Sequence, residues 1–249
     1  MHIRVDREVT TLHPGAMLDI SHDEARGMVD ALQAHFRDDP LEFRMASPER
    51  WYVRLPMDEM PATTPLDEAL AHGVRKSWPA GGTRIKWPSA MTEIQMVLSS
   101  DEANARRERE GRPAVNSVWF WGGGALPERV DSPYEQICSD DPFTRGLANL
   151  GGAELLPAPA KLREVNAKGA TLVATDAPMA AIRRADVAQW AETMRRLDRD
   201  WFGDLGELVS KFGAVRIVAT GAAGTIVAAL SPASRWRLFA RRKPIAAHA

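Results

Sequence analysis

Apolar residues first recur at helical spacing behind Ser21, where Ala25, Met28, Val29, Leu32 and Phe36 fall on one face. Ser21 and Glu24 form an S-x-x-E capping box at the start of this helix, and Asp38-Asp39-Pro40 ends it. Two short runs, Leu41 to Met45 and Trp51 to Leu55, read as extended segments around Ser47-Pro48-Glu49. Pro56 to Pro88 is rich in Pro, Gly and Thr, a long excursion with one helical turn at Leu66 to Ala71. Ser89 then caps a helix with the stripe Ala90, Met91, Ile94, Val97 and Leu98. Ser99 and Glu102 offer a second capping box, opening a strongly charged helix that ends near Gly111. The run Val115 to Trp121 is apolar enough for a strand covered on both faces, and Gly122-Gly123-Gly124 stops it.

The second half repeats the alternation. Ser139-Asp140-Asp141-Pro142 reads as a helix N-cap with Pro at the first helical position. Ala170 to Thr175 is a strand, and Ala185 to Lys211 a long amphipathic helix with Val187, Trp190, Met194, Leu197, Trp201, Leu205 and Leu208 on one face. Gly213 stops it. Ala214 to Thr220 and Thr225 to Leu230 are two apolar strands around a Gly-rich turn. Ser231-Pro232 opens a last short helix, whose basic tail carries Arg235, Arg237, Arg241, Arg242 and Lys243 with Trp236 and Phe239. The pattern predicts an α/β chain, with α+β left open, in which helices pack on a mixed sheet. A boundary falls at Leu150-Gly151-Gly152.

Composition narrows the function classes. The 249 residues, 45% of them hydrophobic and 26% charged, suit a globular chain of one large or two small domains. With 32 Lys and Arg against 33 Asp and Glu the net charge is −1, so nucleic acid and anionic membranes are not expected partners. One cysteine, Cys138, permits no internal disulfide and fits a reducing compartment. The charged opening, with Arg4, Asp6, Arg7 and Glu8, does not fit a signal peptide, and the Ala214 to Leu230 run is too broken to span a bilayer. A cytoplasmic location is expected, and the oligomeric state is left open.

The most informative stretch runs from Thr92 to Gly124 and contains Asn104, Arg107, Gly111, Asn116, Trp119, Trp121, Gly122 and Gly124. It resembles the central, inserted region of the archaeal-type cofactor-independent phosphoglycerate mutases of the alkaline phosphatase superfamily. There, a His-Pro-x-Asn segment with a following Arg and Gly leads into Asn-x-Ile-Trp-x-Trp-Gly-x-Gly. Asp101-Glu102 stands here in place of the His-Pro pair. More weakly, Ser21 to Phe36 resembles the first helix of that insert, and Trp51-Tyr52-Val53-Arg54 its aromatic–Arg strand. Asp176-Ala177-Pro178 resembles the start of the family's Glu-Ala-Pro-Asp-Glu-x-x-His segment, and the helix containing Asp198 the one that follows it. The resemblance implies a shortened bacterial relative, with residues 1–150 as the insert-like region and 151–249 as what is left of a phosphatase-like core.

It also implies which catalytic parts are replaced. Such enzymes use a Ser or Thr nucleophile and two divalent metals held by Asp and His. The chain is expected to begin inside the insert, without the nucleophile segment. Met179 and Arg183 stand where the metal-binding Asp and His of the Glu-Ala-Pro segment align, and Thr220-Gly221-Ala222 replaces a later Asp-His pair. The six histidines are His2, His13, His22, His35, His72 and His248, with none between Gly73 and Ala247. No metal and no cofactor are therefore expected. Anion binding is the function that the surviving motif could keep. Asn104 and Arg107 on one helix, with Asn116 and the Gly122-Gly123-Gly124 turn, could hold a phosphate or carboxylate, with Arg84 and Lys86 as further candidates. Equally, Asn116 could tie down backbone, the tryptophans could be core and the glycines a tight turn. Three readings stay open: a silent relative that binds a small anionic metabolite or a protein partner, an active mutase or phosphatase with an unrecognised site, and a ligand-free scaffold.

Overall fold

In the computed structural model, residues 1–5, 10–72, 79–221 and 224–233 are described, and the chain divides into two compact units. The first comprises Met1–Leu126 with Arg183–Ala185, the second Pro127–Ile182 with Asp186–Ala249. The division falls at Leu126 and not near 150, because a strand before residue 150 pairs with strands on both sides of it beyond that point. The basic C-terminal tail, Arg235 to Lys243, lies outside the described residues.

The first unit opens with the antiparallel pair β1 (His2–Val5) and β2 (Thr10–His13), which the apolar pattern did not announce. Helix α1 (His22–His35) begins at the expected box: Glu24 N–H donates to the Ser21 hydroxyl and Ser21 N–H to the Glu24 carboxylate. Its Ala25, Met28, Val29 and Leu32 are buried against the hairpin of β3 (Glu42–Ser47) and β4 (Arg50–Arg54) and against α3 (Trp87–Ser99). A short α2 (Leu66–His72) interrupts the excursion. Burial of Met28, Leu32, Ile94 and Leu98 contributes about 1.5–3 kcal/mol each.

Two caps differ from expectation. Helix α3 starts at Trp87, ahead of Ser89, because Pro88 fits the first turn and Trp87 anchors it in the core. Helix α4 (Glu102–Arg109) is capped by Asp101, whose carboxylate accepts from Ala103 N–H, while the Ser99 hydroxyl donates back to Met96 O. The larger correction concerns residues 115–121, which form no ladder. Val115 and Ser117 are buried, but the segment is tied to β1 through the Asn116 amide, which takes both backbone groups of Ile3. Met1 and Ser117 exchange backbone hydrogen bonds, but at Ile3 a side chain takes the place of the strand partner and the pairing does not propagate. Beyond it Trp121 is exposed.

In the second unit, β5 (Gln136–Cys138), β6 (Glu154–Leu156) and β7 (Thr171–Val173) form a parallel sheet in the order β6-β5-β7. All three residues of the central β5 are buried. Helix α5 (Pro142–Gly151) connects β5 to β6 and is capped by Asp141, which accepts from Thr144 N–H at 2.8 Å. The order of elements, strands alternating with helices α6 (Ala177–Arg183), α7 (Val187–Leu197) and α8 (Leu205–Phe212), makes the fold α/β. A final antiparallel hairpin joins β8 (Val215–Gly221) to β9 (Gly224–Leu230).

The expected helix from Ala185 to Lys211 is two helices. A π-helical stretch, Asp198–Phe202, separates α7 from α8, and at Gly203 a Cβ would lie 2.7 Å from Arg199 O. The expected apolar stripe is buried only in part. Thr193, Leu197, Leu208 and Val209 are buried, whereas Val187, Trp190 and Met194 are exposed. Leu197→Asp should destabilise the second unit by at least the roughly 2–5 kcal/mol of a core truncation, since it also buries a carboxylate. Thermal melting followed by circular dichroism measures this, and an unchanged midpoint would place Leu197 at the surface.

Candidate functional site

Asn104 and Arg107 lie one turn apart on α4, both facing inward. The Asn104 amide donates to Leu98 O at 2.6 Å and to Val115 O at 2.9 Å, and accepts from Val115 N–H at 2.7 Å. It joins the end of α3 to the segment after α4. Arg107 is 0% exposed. Its Nη1 donates to both Glu24 oxygens at 3.2 Å, its Nε to Pro113 O at 2.8 Å, and its Nη2 to Leu18 O. All three nitrogens are thus engaged inside the fold. Arg112 adds a second cation at 3.3 Å from Glu24 and donates to Asp19 O. Burial raises the Glu24 pKa, but the Ser21 hydrogen bonds and then Arg107 outweigh it, so the carboxyl titrates below its ordinary value.

Arg107 therefore faces the interior of the first unit and not a cleft. The physical reason is that α1 delivers a buried carboxylate, Glu24, to the point where a ligand anion would sit. Nor do the predicted residues converge. Asn116 is spent on Ile3, and the Gly122-Gly123-Gly124 turn is exposed and rests against Met60, whose Sδ lies 2.9 Å from where a Gly123 Cβ would stand.

Arg84 belongs to a second internal site that sequence reasoning missed. Residues Thr83, Arg84 and Ile85 turn three successive N–H groups onto the carboxylate of Glu59 at 2.9–3.0 Å. The Thr83 hydroxyl donates at 2.6 Å and Arg84 Nε at 3.2 Å. Gly82 is required here: its φ is +77°, and a Cβ would stand 2.9 Å from a Glu59 oxygen. The Glu59 pKa is pulled down to about 2, foremost by the Ile85 N–H and then by the Thr83 hydroxyl, against the opposing effect of burial. Lys86 stands exposed at the start of α3. The arrangement is the anion nest expected of an Arg beside a glycine turn, filled by the chain's own side chain. The only hint in sequence was a Glu held in a Pro- and Gly-rich excursion.

Little else offers chemistry. A depression of about 360 Å³ is lined by Ile3, Thr92, Gln95, Met96, Ser99 and Asn116. The Thr92 and Ser99 hydroxyls and the Asn116 amide in it bond to nearby backbone. Cys138 is buried at the end of β5, and burial followed by the Glu154 charge pushes its thiol up, away from nucleophilic use. Asp141 caps α5 and Asp140 accepts from Ala158 N–H. Among the described residues, no group of three or more His, Cys, Asp or Glu is placed to hold a metal ion. Among them also, no helix is long and apolar enough to cross a membrane.

Asn104, Arg107 and Asn116 are thus bonded within the fold, and part of the chain is phosphoglycerate-mutase-like in sequence. Over 112 residues, 44% of this chain, it is 27% identical to the 2,3-bisphosphoglycerate-independent phosphoglycerate mutase of Methanosarcina barkeri. That match spans 28% of the relative's length. No family model matches the chain. Among solved structures, it aligns with the cofactor-independent phosphoglycerate mutase of Thermoplasma acidophilum at a TM-score of 0.38 and 15% identity, covering 92% of this chain and 63% of that one. A protein of Pyrococcus horikoshii aligns at a TM-score of 0.44 and 16% identity over 85% of this chain and 56% of that one.

Proposed function

We propose that this is a catalytically silent, phosphoglycerate-mutase-like protein that acts in a regulatory role by binding a protein partner, not by turning over a phosphorylated metabolite. The observation that carries the reading is Arg107, buried and bonded to Glu24. A metabolite anion would have to displace a carboxylate already held by two arginines and the Ser21 N–H. Arg84, although 64% exposed, points its Nε at Glu59, 3.2 Å away. Met179 and Arg183, in the positions of family metal ligands, supply no carboxylate or imidazole there. What the motif leaves at the surface suits a protein: Trp121 is 52% and Leu126 76% exposed, flanking the glycine turn. Exposed tryptophans next to adaptable backbone are frequent anchors of protein interfaces.

The test is a thermal-shift series with phosphorylated three-carbon acids, with and without Mn²⁺, alongside elemental analysis of the purified protein. The reading expects no ligand-dependent change in midpoint and no stoichiometric transition metal. A ligand at about a hundred times its Kd would stabilise the fold by about 2.7 kcal/mol, well within detection. Such a saturable shift, or two tightly held metals per chain, would restore the enzyme reading.

A further inference from the structure

The strands of the β8–β9 hairpin, seven residues each, are the longest described, yet among the described residues they pair only with each other. A lone two-stranded ribbon is marginal in water, and natural edge strands carry charges, prolines or bulges against further pairing. Strand β9 has none of these: Gly224–Leu230 contains no charged residue and no proline, and its register to β8 is unbroken. Val227 and its cross-strand partner Val218 are 59% and 55% exposed. We propose that β9 is a self-association edge, and that two copies of the chain pair β9 against β9 antiparallel to form a four-stranded sheet.

The occupant is argued from complementarity. An antiparallel two-fold centred on Val227 sets Thr225 opposite Ala229, Ile226 opposite Ala228 and Val227 opposite Val227 of the second copy. No like charges meet, and β-branched residues lie at the axis, where cross-strand pairing is favourable. The same operation on β8 would bring the charge of Arg216 into the seam, which favours the β9 edge. A net charge of −1 adds no general repulsion between copies. Four strands exceed the three that an independently stable sheet requires. This inference stands apart from the proposed function, since it concerns a different unit and a different partner.

Sedimentation and light scattering over a series of protein concentrations test it. The wild-type chain should approach twice its 27.4 kDa mass. Val227→Lys, which sets two ammonium groups face to face on the axis, should be monomeric with an unchanged circular dichroism spectrum. Val227→Glu should likewise be monomeric, and an equal mixture of the two variants should recover the doubled mass. A wild-type chain that stays monomeric at every concentration would overturn the proposal. So would a Val227→Lys variant that still dimerises, or a mixture that fails to associate.

Discussion

Replacing Arg107 with alanine should lower the stability of the first unit by about 3–5 kcal/mol, the usual cost of removing one partner of a buried ion pair. Arg107 is fully buried and Glu24 nearly so. Truncation leaves the Glu24 carboxylate dependent on Ser21 and Arg112, and deprives Leu18 O and Pro113 O of their donor. Arg112, partly exposed and 3.3 Å away, can compensate in part, so the loss should fall toward the lower end of the range. Chemical denaturation of the wild type and of Arg107→Ala gives the number. The double variant with Glu24→Gln should lose less than the sum of the two single changes, because the pair is removed together. Arg107→Lys should rescue only partly, since a single ammonium cannot reach Glu24, Leu18 O and Pro113 O together. If Arg107→Ala melts like the wild type, Arg107 is free to serve a ligand, and the regulatory reading loses its main support.

The same residue shows how far the sequence could be read. Spacing located α1, the β3–β4 pair, α3, α4 and α5, because each has a strong local signal: a capping box, an apolar stripe, or Asp-Pro at a helix start. It found that Asn104 and Arg107 share a face, which is a local property of α4. It did not find Glu24 or Glu59 as their occupants, because the partner of Arg107 lies 83 residues away and that of Arg84 lies 25. Periodicity carries no information about which distant carboxylate a fold delivers. The strand expected at 115–121 failed for a related reason: its apolar content was read correctly, but backbone pairing stops at Met1 and Ser117 because the Asn116 side chain takes both backbone groups of Ile3. The short parallel strands β5 and β6, three residues each, lie below the length at which alternation is visible. Asn104, Arg107, Gly111 and Asn116 thus mark how this region folds.

Acid should loosen the first unit through Glu59, between about pH 4.5 and about pH 2. The folded-state pKa of about 2 lies below the ordinary 4.5, so Glu59 binds its proton less readily folded than unfolded. Its contribution is therefore complete above about pH 4.5 and is lost as pH falls toward the folded value. Protonation would set a neutral acid against three N–H groups, a hydroxyl and a guanidinium that converge on a carboxylate. The loop from Thr83 to Ile85 leads directly into α3, and Trp87 donates from its indole to Glu59 O, so the disturbance reaches the core at Trp87 and Phe120. Glu59→Gln isolates the effect. Near neutral pH the variant should unfold at lower denaturant than the wild type, because an amide cannot accept from every donor of the nest. The gap should close as pH falls through the same window, since the wild type then loses what the variant never had. Glu24 also titrates below its ordinary value, but it does so in both proteins and cancels in the difference. Denaturation midpoints of the two proteins between pH 7 and pH 2 measure the gap, and one that stays constant with pH would show that Glu59 is not the ion holding the Thr83–Ile85 loop.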